Sequence, residues 1–123
     1  MITLLTGFPD NVLAVACEGR LTRSDYRDVL IPAAEAVLRR HDRVRLYYEL
    51  TSEFVAFDAA AAWEDFRIGV AHWSRWERVA VASDIEWVRL AVRAFGFLMP
   101  GEARVFPVSD ATEARRWIAA DIR

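Results

Sequence analysis

The sequence predicts an α/β fold: a single domain over residues 1–123, built on a mostly parallel five-stranded sheet with an antiparallel N-terminal edge strand, in the order ββαβαβαβα. Three observations predict it. Two short apolar runs separated by a turn cluster open the chain. After them, strand-like apolar stretches alternate with stretches of helical period, and no Pro/Gly/Ser-rich linker or repeat interrupts the alternation. Strands that alternate with helices need long return paths, which right-handed crossovers over a parallel sheet supply.

Residues Ile2 to Leu5 are apolar and Pro9-Asp10-Asn11 is a turn cluster, so Val12 to Cys17 is the second strand of an opening hairpin, closed by Gly19. Thr22, with Asp25 three residues on, caps a helix running to about Arg40. Pro32 inside it removes a hydrogen bond to Asp28 and clashes with that carbonyl, which predicts a kink or two short helices. From Val44 to Leu50 the chain alternates. Val44, Leu46, Tyr48 and Leu50 share a core face, while Arg45, Tyr47 and Glu49 share a face that is wet or paired.

Asp58 caps a second helix from about Ala59 to Trp73, with Ala62, Trp63, Phe66, Val70 and Trp73 at helical spacing. Val79 to Ala82 is a buried strand. Asp84 starts a third helix, Ile85 to about Phe95, apolar around most of its circumference and therefore hidden on more than one side. Gly96 and Pro100-Gly101 end it, Arg104 to Phe106 is the last strand, and Asp110 with Glu113 caps a final helix through about Asp121.

Composition narrows the function. With 54 % hydrophobic and 28 % charged residues the chain is globular, and no apolar run approaches the roughly 20 residues of a bilayer span. Nothing marks the N-terminus for export, so a cytoplasmic location is expected. The net charge of −2 is spread without blocks, which argues against a nucleic-acid partner. All 16 basic side chains are arginine, so chemistry that needs a lysine amine is excluded. Cys17 lies in an apolar strand, as a buried small hydrophobe does.

His41, His72, Cys17 and scattered carboxylates do not make a metal-ligand pattern, no glycine-rich phosphate loop is present, and nothing calls for a cofactor. Ser74 and His72 are two residues apart, a poor helical geometry for a nucleophile and its base. No catalytic residue is therefore assigned. The sharper signal is aromatic: Trp63, Phe66, Trp73, Trp76, Trp87, Phe95 and Phe97 crowd the segment from the second helix to the end of the third, with Phe54 and Phe57 in the preceding loop. They either fill an ordinary core or line a groove between the second and third helices that suits an apolar small molecule or a protein partner. The apolar run Phe95 to Pro100, if exposed, can touch a partner or a membrane surface. Only Arg89 and Arg93 lie near it, which ranks membrane contact below self-association as a homodimer.

Particular stretches, in order, resemble the SpoIIAA-like family, relatives of the STAS domains that include bacterial anti-sigma-factor antagonists. They are Trp63-Glu64-Asp65, Arg78-Val79-Ala80-Val81-Ala82-Ser83-Asp84, Phe95-Gly96-Phe97-Leu98-Met99-Pro100-Gly101-Glu102, Val105-Phe106, and Glu113-Ala114-Arg115-Arg116-Trp117-Ile118. The resemblance implies a strand-helix fold with a partly apolar groove. STAS antagonists are phosphorylated on Ser or Thr in a turn after the third strand, and here Thr51 and Ser52 occupy that neighbourhood, without the glycine and with Glu53 and Asp58 nearby. The expected function is a non-catalytic binding or regulatory module working through the aromatic groove. The alternative is a STAS-type anti-sigma-factor-antagonist-like regulator switched at Thr51 or Ser52. A small enzyme using Glu49 or Asp58 comes last.

Overall fold

Strand β1 (Ile2–Leu4) lies antiparallel to β2 (Val12–Leu21), with Ile2 opposite Cys17 and Leu4 opposite Val15, and the Val12 amide donates to the Pro9 carbonyl in the intervening turn. The computed structural model describes residues 1–57, 73–98 and 101–120. Beyond the hairpin, β3 (Val44–Phe57), β4 (Trp76–Ala82) and β5 (Glu102–Phe106) add in turn, each parallel to its predecessor, giving a five-stranded sheet in the order β1-β2-β3-β4-β5. The expected architecture is the observed one.

Because spatial order follows chain order, crossovers of one hand all return over the same face. Helix α2 (Ile31–Arg40) and helix α3 (Glu86–Leu98) accordingly share one core with Leu13, Val15, Val44, Tyr48, Val79 and Val81. Helix α4 (Ala111–Ala119) follows the last strand and has no further strand to reach. It packs on the opposite face, where Ala114 and Ile118 join Val12, Ala14, Tyr47 and Ala80 in a second cluster. The alternation of β3 is as expected, and its second face proves paired rather than wet.

The first helical segment breaks at the proline. Thr22 and Asp25 form a capping box, with the Thr22 amide donating to the Asp25 carboxylate at 2.8 Å and the Asp25 amide to the Thr22 hydroxyl at 3.3 Å. A three-residue α1 (Arg23–Asp25) then widens into a π-helical turn (Tyr26–Leu30), and α2 starts at Ile31 with Pro32 in its first turn. The Ile31 amide reaches back to the Tyr26 carbonyl, so the register shifts where the proline ring would strike the Asp28 carbonyl.

Four local expectations are corrected. Gly19 does not close β2: it takes a positive φ of 65° at a register break, and the strand runs on to Leu21. That extension gives β3 a partner beyond Leu50, with Gly19 opposite Phe54 and Leu21 opposite Phe57, so Phe54 and Phe57 stand in a strand rather than a loop. Gly96 does not end α3 but lies within it, where a Cβ would come within 2.9 Å of the Ala103 Cβ on β5. Its lack of a side chain lets helix and strand approach. Asp110 precedes α4 but makes no side-chain cap bond, because φ −103° and ψ 22° depart from the extended backbone that aims a capping side chain at the first amides. The expected second helix, with Asp58 as its cap, falls on 58–72, outside the described residues.

Helix C-termini are held by guanidinium groups from other elements. Arg75 donates to the carbonyls of Leu38 (2.5 Å), His41 (2.6 Å) and Asp42 (3.1 Å) at the end of α2. Arg45 donates to Ile118 (2.8 Å) and Ala120 (2.5 Å), and Arg78 to Trp117 (2.8 Å), at the end of α4. Positive charge there satisfies the unpaired carbonyls and opposes the negative end of the helix dipole.

Candidate functional site

Two surfaces carry side chains beyond what the core requires. The first is the outer face of α3. Val88, Val92 and Gly96 recur every fourth residue and face the sheet, whereas Trp87, Leu90, Ala94 and Phe97 fall on the opposite side of the helix. Trp87 is 58 % exposed, Leu90 56 % and Phe97 89 %. A helix apolar on both faces is what the composition of this segment dictates. The sheet covers only one of them.

The start of α3 is tied down. The Ser83 hydroxyl, fully buried, accepts from the Ile85 amide at 3.1 Å, and Arg89 donates to the Ser83 carbonyl at 3.1 Å. Asp84 accepts from the Val108 amide at 3.0 Å and so fixes the junction between β5 and α4. The apolar row therefore projects from a rigidly seated helix.

The second surface lies under α4. Tyr47, fully buried, donates its hydroxyl to Glu49 on the same strand face, and Arg115 of α4 reaches Glu49 at 3.4 Å while lying over the rings of Tyr47 (5.6 Å) and Phe8 (5.9 Å). Burial first, and then the bond to Glu49, push the Tyr47 hydroxyl up to about 12. A phenol held protonated, and a carboxylate accepting from both a phenol and a guanidinium, fasten α4 to the sheet. Arg78 and Arg104 both lie over the Trp117 ring at 4.9 Å, which extends the same fastening along α4.

The structure distributes the aromatic residues singled out in the sequence. Phe54 is half-buried against the main core from β3. Phe57 and Phe95 belong to β3 and α3, Trp87 stands on the exposed face of α3, and Trp63 and Phe66 lie outside the described residues. Thr51 and Ser52 are both within β3. Thr51 donates its hydroxyl to the Cys17 carbonyl at 3.1 Å. Cys17 is buried in β2, and His41 closes α2 with its Nε2 at 2.9 Å from Asp10. Among the described residues no three His, Cys, Asp or Glu side chains come together as metal ligands, and no helix is long and apolar enough to cross a membrane.

Leu90 was not among the singled-out binding residues, and Phe97 figured only in the aromatic crowd and within the apolar run Phe95 to Pro100. Their signal was available in the spacing 87, 90, 94, 97, which complements the inner row 88, 92, 96.

Comparison with known proteins agrees with this architecture. No curated protein matches the chain significantly. A solved structure similar to it is an uncharacterized protein from the DUF3478 family with a SpoIIAA-like fold, from Shewanella loihica PV-4. It is 28 % identical with a TM-score of 0.73, over 96 % of this chain and 92 % of that one. The model of the SpoIIAA-like family matches residues 12–119, from the second strand through the last helix, and the chain belongs to that family.

Proposed function

We propose that the chain is a non-catalytic binding module that takes an apolar small molecule or the apolar surface of a protein partner on the aromatic wall of α3. One observation carries the reading: a rigidly seated helix presents Trp87, Leu90 and Phe97 outward, 58 %, 56 % and 89 % exposed, opposite the face it buries. Isolated exposed apolar residues need no explanation, but an ordered row on one helix face does. The groove expected from the sequence also drew on Phe54, Phe57, Trp63, Phe66 and Phe95, of which Phe54 packs instead against the main core.

The test is native mass spectrometry of protein purified from its own host, followed by thermal denaturation with alkyl-chain probes such as fatty acids. A retained small molecule, or a rise in Tm with the probe that Leu90→Ser and Phe97→Ser abolish, is expected. Unchanged binding in both these variants and in Trp63→Ala with Phe66→Ala would remove the wall as the site.

The STAS-type switch is the weaker reading. Thr51 and Ser52 lie within β3, at its register break against β2, and the Thr51 hydroxyl donates to the Cys17 carbonyl. A phosphate at Thr51 would have to give up that bond beside β2.

A further inference from the structure

We infer that the partner of the α3 wall is a second copy of this chain, docked through α3 against α3 in antiparallel fashion; this rests on the binding-module reading and names its occupant. The argument begins with the charges that flank the apolar row. Glu86 and Arg93 are both exposed and, two turns apart, lie on the same flank of the helix. Seven residues separate them, roughly 10.5 Å of rise, too far to pair within one helix. Neither has an ion-pair partner among the described residues.

A two-fold axis set across the helix near Leu90 keeps each flank on its own side and reverses the direction of the chain. Residues whose numbers sum to about 179 then face one another. Glu86 meets the partner subunit's Arg93, and Arg93 meets the partner subunit's Glu86, so one symmetric contact satisfies all four charges. Leu90 packs on its own counterpart at the axis. Phe97, the most exposed large apolar residue, reaches over the turn that begins the partner's α3.

The same register thus covers the apolar row and pairs the flanking charges. A parallel two-fold would set each flank against the opposite one and leave Glu86 and Arg93 out of each other's reach. Ala94, small and exposed, leaves room for the two helices to approach to the usual 8–10 Å, an approximate range for packed helix axes.

The test is sedimentation velocity over a concentration series reaching the tens of micromolar, on the wild type, Glu86→Arg, Arg93→Glu, the doubly swapped protein and Leu90→Glu. All three positions lie on the exposed side of α3, and far-UV circular dichroism checks that each variant folds. The wild type is expected to be a dimer and Leu90→Glu a monomer. Each single reversal should raise the dissociation constant about tenfold or more, since two symmetric pairs become repulsive, and the double swap should return it to within about threefold of wild type. A wild type that stays monomeric, or a double swap as weak as the two reversals combined, overturns the pairing. Binding of anilinonaphthalene sulfonate separates the two readings. A monomer that binds the dye in a manner lost in Leu90→Glu keeps the wall as a docking site and removes only the second copy, whereas a monomer that binds nothing removes both.

Discussion

The hydroxyl of Thr51 on β3 donates to the carbonyl of Cys17 on β2 across 3.1 Å, at the point where the two strands change register. Up to there the pairing is regular, with Cys17 opposite Leu50. Beyond it Gly19 stands opposite Phe54, so three residues of β3 answer to one of β2. The threonine side chain gives the Cys17 carbonyl a donor at that break.

Removing that hydroxyl while keeping the shape, Thr51→Val, should cost about 1 kcal/mol of stability, measured by urea denaturation. Folded protein incubated with ATP and host extract should stay unmodified at Thr51. Stoichiometric phosphate there, with no loss of stability, would restore the switch.

Arg45 is 7 % exposed, bonds Glu77 at 2.8 Å and closes the end of α4 through two carbonyls. Arg45→Met should therefore destabilise by about 3 kcal/mol or more, because the carboxylate and both carbonyls lose their donor together. Adding Glu77→Leu should recover part of the loss. A double-mutant cycle that shows no coupling would mean that the pair contributes only packing.

The two glycines around β5 should differ in tolerance. A Cβ at Gly101 would press on the backbone carbonyls of β4, within 2.5 Å of the Trp76 oxygen, whereas one at Gly96 meets the Ala103 methyl at 2.9 Å. Gly101→Ala should cost about 2–3 kcal/mol and Gly96→Ala less, since backbone yields less readily than a side chain. Equal thermal shifts for the two variants would contradict this.

Alkaline titration should single out Tyr47. Its hydroxyl is pushed from the ordinary 10 to about 12, so the folded state holds a proton that the unfolded state has already released. The associated stability is intact below about pH 10 and drains away as pH rises toward 12, which follows from the two pKa values. The ultraviolet difference spectrum between wild type and Tyr47→Phe should show one phenolate appearing near pH 12. A midpoint near 10 would mean that the side chain is open to water.

Much of the fold was legible because its signals are local. The period of two in Val44 to Leu50, the capping box at Thr22 and Asp25, and the proline that breaks the first helical segment act within a few residues of themselves. The errors share a cause. Gly19 and Gly96 carry the same local signature as glycines that stop an element, and only the neighbour opposite each one distinguishes a bulge or a close approach from an end. Leu50 to Phe57 has no strand pattern strong enough to stand alone, and it extends because β2 continues beside it.

The sequence by itself determined the class, the order of elements, the core face of β3 and the family, since these depend on periodicity and on motifs in succession. Tertiary structure alone decided which face of the third helix stays outward and what partner each polar group finds. Composition marks α3 as apolar all round, but burial depends on how much sheet lies beneath it, and β4 and β5 cover a single side. The arginines at the ends of α2 and α4 were equally hidden from local reading, because Arg75 reaches the end of α2, and Arg45 and Arg78 reach the end of α4, from positions more than thirty residues away in the chain.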